Sequence, residues 1–166
     1  MFPETGHRTF ATGPVPSLFV GEKAVVSMAI TSDMVKCFAQ ATGDWNPIHF
    51  EAGNLDTKSE KCDGRKDNTN QLKKVPIVHG ALLNGIVSGV IGTRLPGPGT
   101  VVVSQVFKFA APLPVGGQVS VEVEVMNFRR REVNVKYKIV SIPDETVVMD
   151  GTARLLVPRD RIGKVS

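Results

Sequence analysis

No apolar run in this chain reaches the roughly 20 residues that a membrane-spanning helix needs. The longest candidate, 77–91, is interrupted by His79, Asn84 and its glycines, so no membrane span is expected. Only two cysteines are present, Cys37 in an expected helix and Cys62 in a polar loop, and nothing in their spacing argues for a disulfide. A signal-peptide apolar core is also missing, which points to a reducing compartment. The three histidines lack Cys or His partners at ligand spacing, so no structural zinc site, and no metal, is expected. Basic and aromatic residues do not interleave on any strand face, which argues against nucleic acid as the main ligand. Internal repeats and low-complexity tracts are absent as well.

What is present suits one globular domain. At 166 residues, 42% hydrophobic and 22% charged, the chain is long enough to bury a core without staples. The formal net charge of +4 suits acidic or phosphate-bearing partners, an acidic carrier protein among them; it serves solubility equally well.

The organisation expected is a flexible tail over 1–19, a domain over 20–158 and a short tail over 159–166. Arg8-Thr9-Phe10-Ala11 reads either as the remnant of a mitochondrial import sequence or as plain disordered tail. Lys23 to Ile30 has the character of a strand. Ser32 is placed to cap a helix, with Asp33 in its first turn and Met34, Val35, Phe38 and Ala41 at helical spacing. Gly43 is placed for a left-handed C-terminal cap. Residues 58–74 carry six basic and three acidic side chains with no apolar period, a solvated insertion serving either as a docking surface or as a loop extension.

Ala81 to Gly92 is apolar almost all round, as a helix buried on most faces is. Leu95-Pro96-Gly97-Pro98-Gly99 breaks the chain. Thereafter the period falls to 2, giving strands over 100–109, 118–128, 132–142 and 146–157, joined as an antiparallel meander. Arg129-Arg130-Arg131 falls at a turn and reads as solvated or as a phosphate contact.

The chemistry concentrates in Thr42-Gly43-Asp44-Trp45-Asn46-Pro47-Ile48-His49 and, thirty residues after His49, in Pro76-Ile77-Val78-His79-Gly80. The first run puts a carboxylate and an imidazole on one stiff loop, Pro47 fixing the backbone and pushing Asn46 extended. The second places Gly80 at the start of the apolar helix, where backbone N–H groups are unpaired and the dipole is positive. An acid, a base and a donor for a charged oxygen are the parts that elimination beside a carbonyl requires.

These two runs resemble the MaoC-like (R)-specific enoyl-thioester hydratases and dehydratases. The likeness extends through Leu82-Leu83-Asn84-Gly85, residues 92–99, Ser104-Gln105 and Ala111-Pro112-Leu113, where it is most similar to the mitochondrial type 2 3-hydroxyacyl-thioester dehydratases. It covers roughly residues 20–158 and departs at the 58–74 insertion. It implies an α+β hot-dog fold, a curved antiparallel sheet around a central helix, and a homodimer paired sheet edge to sheet edge.

The resemblance also implies roles. Asp44 and His49 match the acid–base pair, Gly80 the amide that binds the thioester oxygen, and Ser88 a serine that steadies the aspartate; Asn46 is counted with it as supporting. His49 is expected to remove the C2 proton and Asp44 to protonate or hold the departing 3-hydroxyl. His79 is read as structural, and Trp45 as packing at the loop or lining the acyl path. No cofactor is expected beyond the phosphopantetheine of acyl carrier protein or CoA that carries the substrate. The expected setting is mitochondrial fatty acid synthesis, with an acyl-CoA hydratase of breakdown as the near alternative. A hot-dog thioesterase is disfavoured because Ala81 to Gly92 holds no acid, and a non-catalytic basic binding module is the remaining class.

Overall fold

The computed structural model describes residues 17–51 and 75–161. Cys62, the 58–74 insertion and Arg8 to Ala11 lie outside the described residues. A five-stranded antiparallel sheet holds β1 (Lys23–Ala29), β2 (Val101–Phe109), β3 (Gln118–Arg129), β4 (Glu132–Ser141) and β5 (Val147–Leu156), in the order β1-β3-β4-β5-β2. Two helices precede β2, α1 (Ser32–Thr42) and α2 (Gly80–Thr93).

Strict alternation makes one sheet face apolar. Val119, Val121, Val123 and Val125 of β3 are fully buried, as are Val133, Val135 and Ile139 of β4. They share one core with Met149 and Leu155 of β5 and with Leu83, Val87, Val90 and Ile91 of α2. Each buried side chain of this size contributes about 1.5–3 kcal/mol. Leu18 and Arg161 close the body at its edge, the Leu18 N–H donating to the Arg161 carbonyl at 3.1 Å.

The other face is a charge ladder. Lys23 meets Glu122 at 3.2 Å and Glu124 at 3.0 Å, and Glu124 also meets Lys136 at 3.0 Å. Lys136, and then Lys23, hold the Glu124 carboxyl below the usual range. Such exposed pairs add little stability individually.

Three expectations need correction. Only β3, β4 and β5 form a meander; β2 lies at the far edge beside β5. Its connection to β3 contains Pro112 and Pro114 and cannot fold back as a hairpin. It crosses instead to bond with residues 76–78, through Val78 N–H to the Leu113 carbonyl and Val115 N–H to the Pro76 carbonyl, both at 2.8 Å. The cap of α1 is Thr31, whose side chain accepts from the Met34 N–H at 3.3 Å, and Ser32 is the first helical residue. Finally, α2 is buried on one side only: Ala81, Gly85, Ser88 and Gly89 are exposed in the single chain, because the sheet supplies packing to one face.

Candidate active site

The loop after α1 is shaped by bonds between near neighbours. Gly43 takes φ 77° and donates its N–H to the Ala39 carbonyl, ending the helix and turning Asp44 away from it. A side chain other than Gly or Asn is strained in that conformation. Thr42 Oγ1 then accepts from the Asp44 N–H, Asp44 Oδ1 from the Asn46 N–H and Asn46 Oδ1 from the Ile48 N–H, at 3.3, 3.3 and 3.4 Å. Three successive side-chain oxygens thus each meet the amide two residues on. Asn46 acts here as the cap of a single 3-10 turn, Pro47–His49.

That turn directs His49 inward. Its side chain is 8% exposed, while that of Asp44 is 49% exposed. A second segment clamps it: the Ile77 N–H donates to the Ile48 carbonyl at 3.0 Å, and the Ile77 carbonyl lies 2.7 Å from His49 Nδ1. A carbonyl oxygen only accepts, so Nδ1 carries the hydrogen and Nε2 presents its lone pair. That lone pair lies 4.0 Å from Asp44 Oδ2. Asp44 Oδ1 is already engaged by the Asn46 amide, so the remaining oxygen faces the imidazole.

Gly80 opens α2 at the same place. Among the described residues its N–H has no hydrogen-bond partner, as befits the first turn of a helix. An added Cβ there would lie 2.6 Å from Cζ of Phe109, the far end of a half-exposed side chain that would have to shift. Ser88, two turns further along α2, is exposed, and the hydrogen bonds of Asp44 among the described residues go to Thr42, Asn46 and His79 instead. Trp45 is half exposed and packs on Phe50, ring centroids 5.2 Å apart.

The structure adds a residue that sequence reasoning left without chemistry. His79 is buried, stacks on His49 with centroids 3.6 Å apart, and places Nε2 3.0 Å from the Asp44 carbonyl. Its only sequence signal is its place before Gly80. Asp44, His49 and His79 hold ligand-type atoms within 4.8 Å of one another. Yet His79 Nε2 must donate to a carbonyl and His49 Nδ1 to another, which leaves one imidazole lone pair and one carboxylate oxygen facing each other. That pair suits proton transfer better than a metal's fuller ligand set.

No family model matches the chain. A 3-hydroxybutyryl-CoA dehydratase of Methylorubrum extorquens is 36% identical over 142 residues, covering 86% of this chain and 82% of that protein. A mitochondrial 3-hydroxyacyl-[acyl-carrier-protein] dehydratase of Arabidopsis thaliana is 28% identical over 145 residues, covering 85% and 78%. Among solved structures, the (R)-hydratase from A. caviae involved in PHA biosynthesis superposes with a TM-score of 0.72 at 30% identity, over 86% of this chain and 98% of that one.

Proposed function

Because the chain belongs to the MaoC-like family of (R)-specific enoyl-thioester hydratases and dehydratases, hydro-lyases of the hot-dog fold, we propose that it interconverts an (R)-3-hydroxyacyl thioester and the trans-2-enoyl thioester by syn removal or addition of water. The observation that carries this reading is the His49 Nε2 lone pair facing Asp44 Oδ2 at 4.0 Å.

In dehydration, His49 Nε2 takes the C2 proton. Negative charge moves onto the thioester oxygen, where the Gly80 N–H and the positive end of α2 receive it. Asp44 enters this direction as the carboxylic acid and passes its proton to the 3-hydroxyl, which departs as water when the C3–O bond breaks and leaves Asp44 as the carboxylate; otherwise it holds the water that leaves. Hydration runs the steps in reverse. Both groups stand on one loop, so proton and hydroxyl leave from one face of the substrate. Asn46 supports the pair by donating its main-chain N–H to Asp44 Oδ1 and by capping the turn that carries His49. Ser88 is assigned, by the family likeness alone, as a residue that steadies Asp44. The reaction is acid–base chemistry and draws on no cofactor besides the substrate's own carrier.

The carrier is phosphopantetheine, on acyl carrier protein or CoA. The extended motif likeness and the mitochondrial relative favour acyl carrier protein and a place in mitochondrial fatty acid synthesis. The higher identity of the CoA-named relative, 36% against 28%, favours CoA. No described helix is long and apolar enough to cross a membrane.

The assembly is a homodimer through β2. Among the described residues this strand has a neighbour on one side only, and Val101, Val103, Val106, Phe107 and Phe109 along it are exposed. A free apolar edge of this kind pairs readily with a second strand.

The test is turnover. Purified protein is expected to hydrate crotonyl-CoA to the (R)-3-hydroxy product, with crotonyl thioesters of acyl carrier protein run in competition to rank the carriers. Release of free thiol with no hydration would favour a thioesterase and sink the reading.

A further inference from the structure

His79 takes no part in the proton transfers, yet it touches each group that does. It precedes α2 with φ −58° and ψ 128°, and its side chain makes no cap to that helix. The ring turns back instead, with Nε2 at 3.0 Å from the main-chain oxygen of Asp44 and 4.0 Å from Oδ2 of the same residue. It lies against the ring of His49 at 3.6 Å between centroids, the planes 25° apart. Phe38 and Phe50 close its other sides at 5.0 and 6.1 Å. Its own carbonyl carbon is bonded to the Gly80 nitrogen.

We propose that His79 is the positioning residue of this site, an imidazole protonated at Nε2 that joins the Asp44 loop, the His49 ring and the Gly80 amide into one rigid unit. The proposal rests on the acid–base reading of Asp44 and His49. Asp44 O can only accept, so the bond requires hydrogen on Nε2. Nδ1 then carries the lone pair, and among the described residues it is buried without a partner. A buried polar atom left unpaired is unfavourable. That cost is offset by the bond from Nε2 to Asp44 and by the face stacked on His49, which hold the ring where it stands. The stacked face leaves His49 no room to rotate, and the Ile77 carbonyl fixes its plane. When His49 accepts the substrate proton, the ring beneath it presents a π face to the new cation.

Two variants separate the contributions. His79→Phe keeps a flat ring and loses the donor; His79→Gln keeps an Nε2 donor and loses the ring. Crotonyl-CoA hydration is followed as kcat and KM beside thermal melting. In parallel, 15N spectra of the histidine-labelled wild type, with three histidines to assign, report the tautomers. His79→Phe is expected to lower kcat by about 10–100-fold with KM changed by no more than about twofold, and His79→Gln to recover part of the loss. The spectra are expected to show His79 with Nε2 protonated and Nδ1 bare. Wild-type kcat in both variants, a rise in KM alone, or hydrogen on Nδ1 would overturn the proposal. If neither variant folds, the tautomer decides alone. An inactive wild type with the expected tautomer would strike the hydratase reading and leave the bond to Asp44 standing.

Discussion

His49 Nδ1 lies 2.7 Å from the carbonyl oxygen of Ile77, a residue 28 positions further along the chain. That one bond settles which ring nitrogen holds hydrogen, and so leaves Nε2 as the basic atom beside Asp44. The chemistry of the loop depends on a main-chain group from a different segment.

Asp44→Asn and His49→Gln are each expected to lower kcat for crotonyl-CoA hydration by about 10²–10⁴-fold. The double variant should fall little below the worse single one, since the two groups serve one transition state. Steady-state absorbance of the enoyl thioester measures both. Near-wild-type rates in either variant would remove the assigned pair.

Gly80→Ala is expected to lose activity and to melt lower, because the new Cβ meets the Phe109 ring at 2.6 Å. Phe109 is half-exposed and its ring can swing aside, so the cost stays at the low end for overpacking, about 1 kcal/mol. Adding Phe109→Ala makes room, so Gly80→Ala should lower the melting temperature less in the Phe109→Ala background than in the wild type. Additive melting shifts would show that the ring is not the obstacle.

Tyr137 carries a buried hydroxyl with no partner among the described residues, and burial pushes its pKa above the ordinary 10.0. Tyr137→Phe is expected to stabilise by about 1 kcal/mol at neutral pH. The sign at high pH follows from linkage. The unfolded tyrosine ionises first, so wild-type stability is complete below about pH 10 and is lost as pH rises toward the folded value. The variant's advantage should therefore widen as the pH is raised from about 9 to about 11, read by denaturant melts. A variant less stable at both would mean the hydroxyl is satisfied.

Val103 and Val106 stand 45% and 74% exposed on the free edge strand. Replacing both with lysine sets like charges against one another across a twofold axis. Light scattering is expected to report a dimer for the wild type and a monomer for the double variant. An unchanged dimer would place the interface elsewhere.

Legibility followed range. Gly43 as a left-handed cap and Pro47 as a loop stiffener act on adjacent backbone, and both stand where local rules put them. The alternating valines of β3 and the Val133 to Ile139 series of β4 show their buried face directly, since a period of 2 admits one assignment. The cap of α1 falls on Thr31 rather than Ser32 because both are hydroxyl residues, and only the backbone angles select between them. The position of β2 depended on a crossing whose partner, 76–78, lies far back in sequence.

The sequence by itself determined the strands, the helices and the two motifs, because propensity, alternation and turn chemistry are properties of near neighbours. It also pointed to the residue types that elimination needs. Tertiary structure alone decided that β2 closes the far edge, that one face of α2 stays bare, that Ile77 selects the His49 tautomer and that His79 stacks on the base while bonding the main chain of the acid. Those are contacts between segments about thirty residues apart or more, and they form only when burial of the shared core brings the segments together.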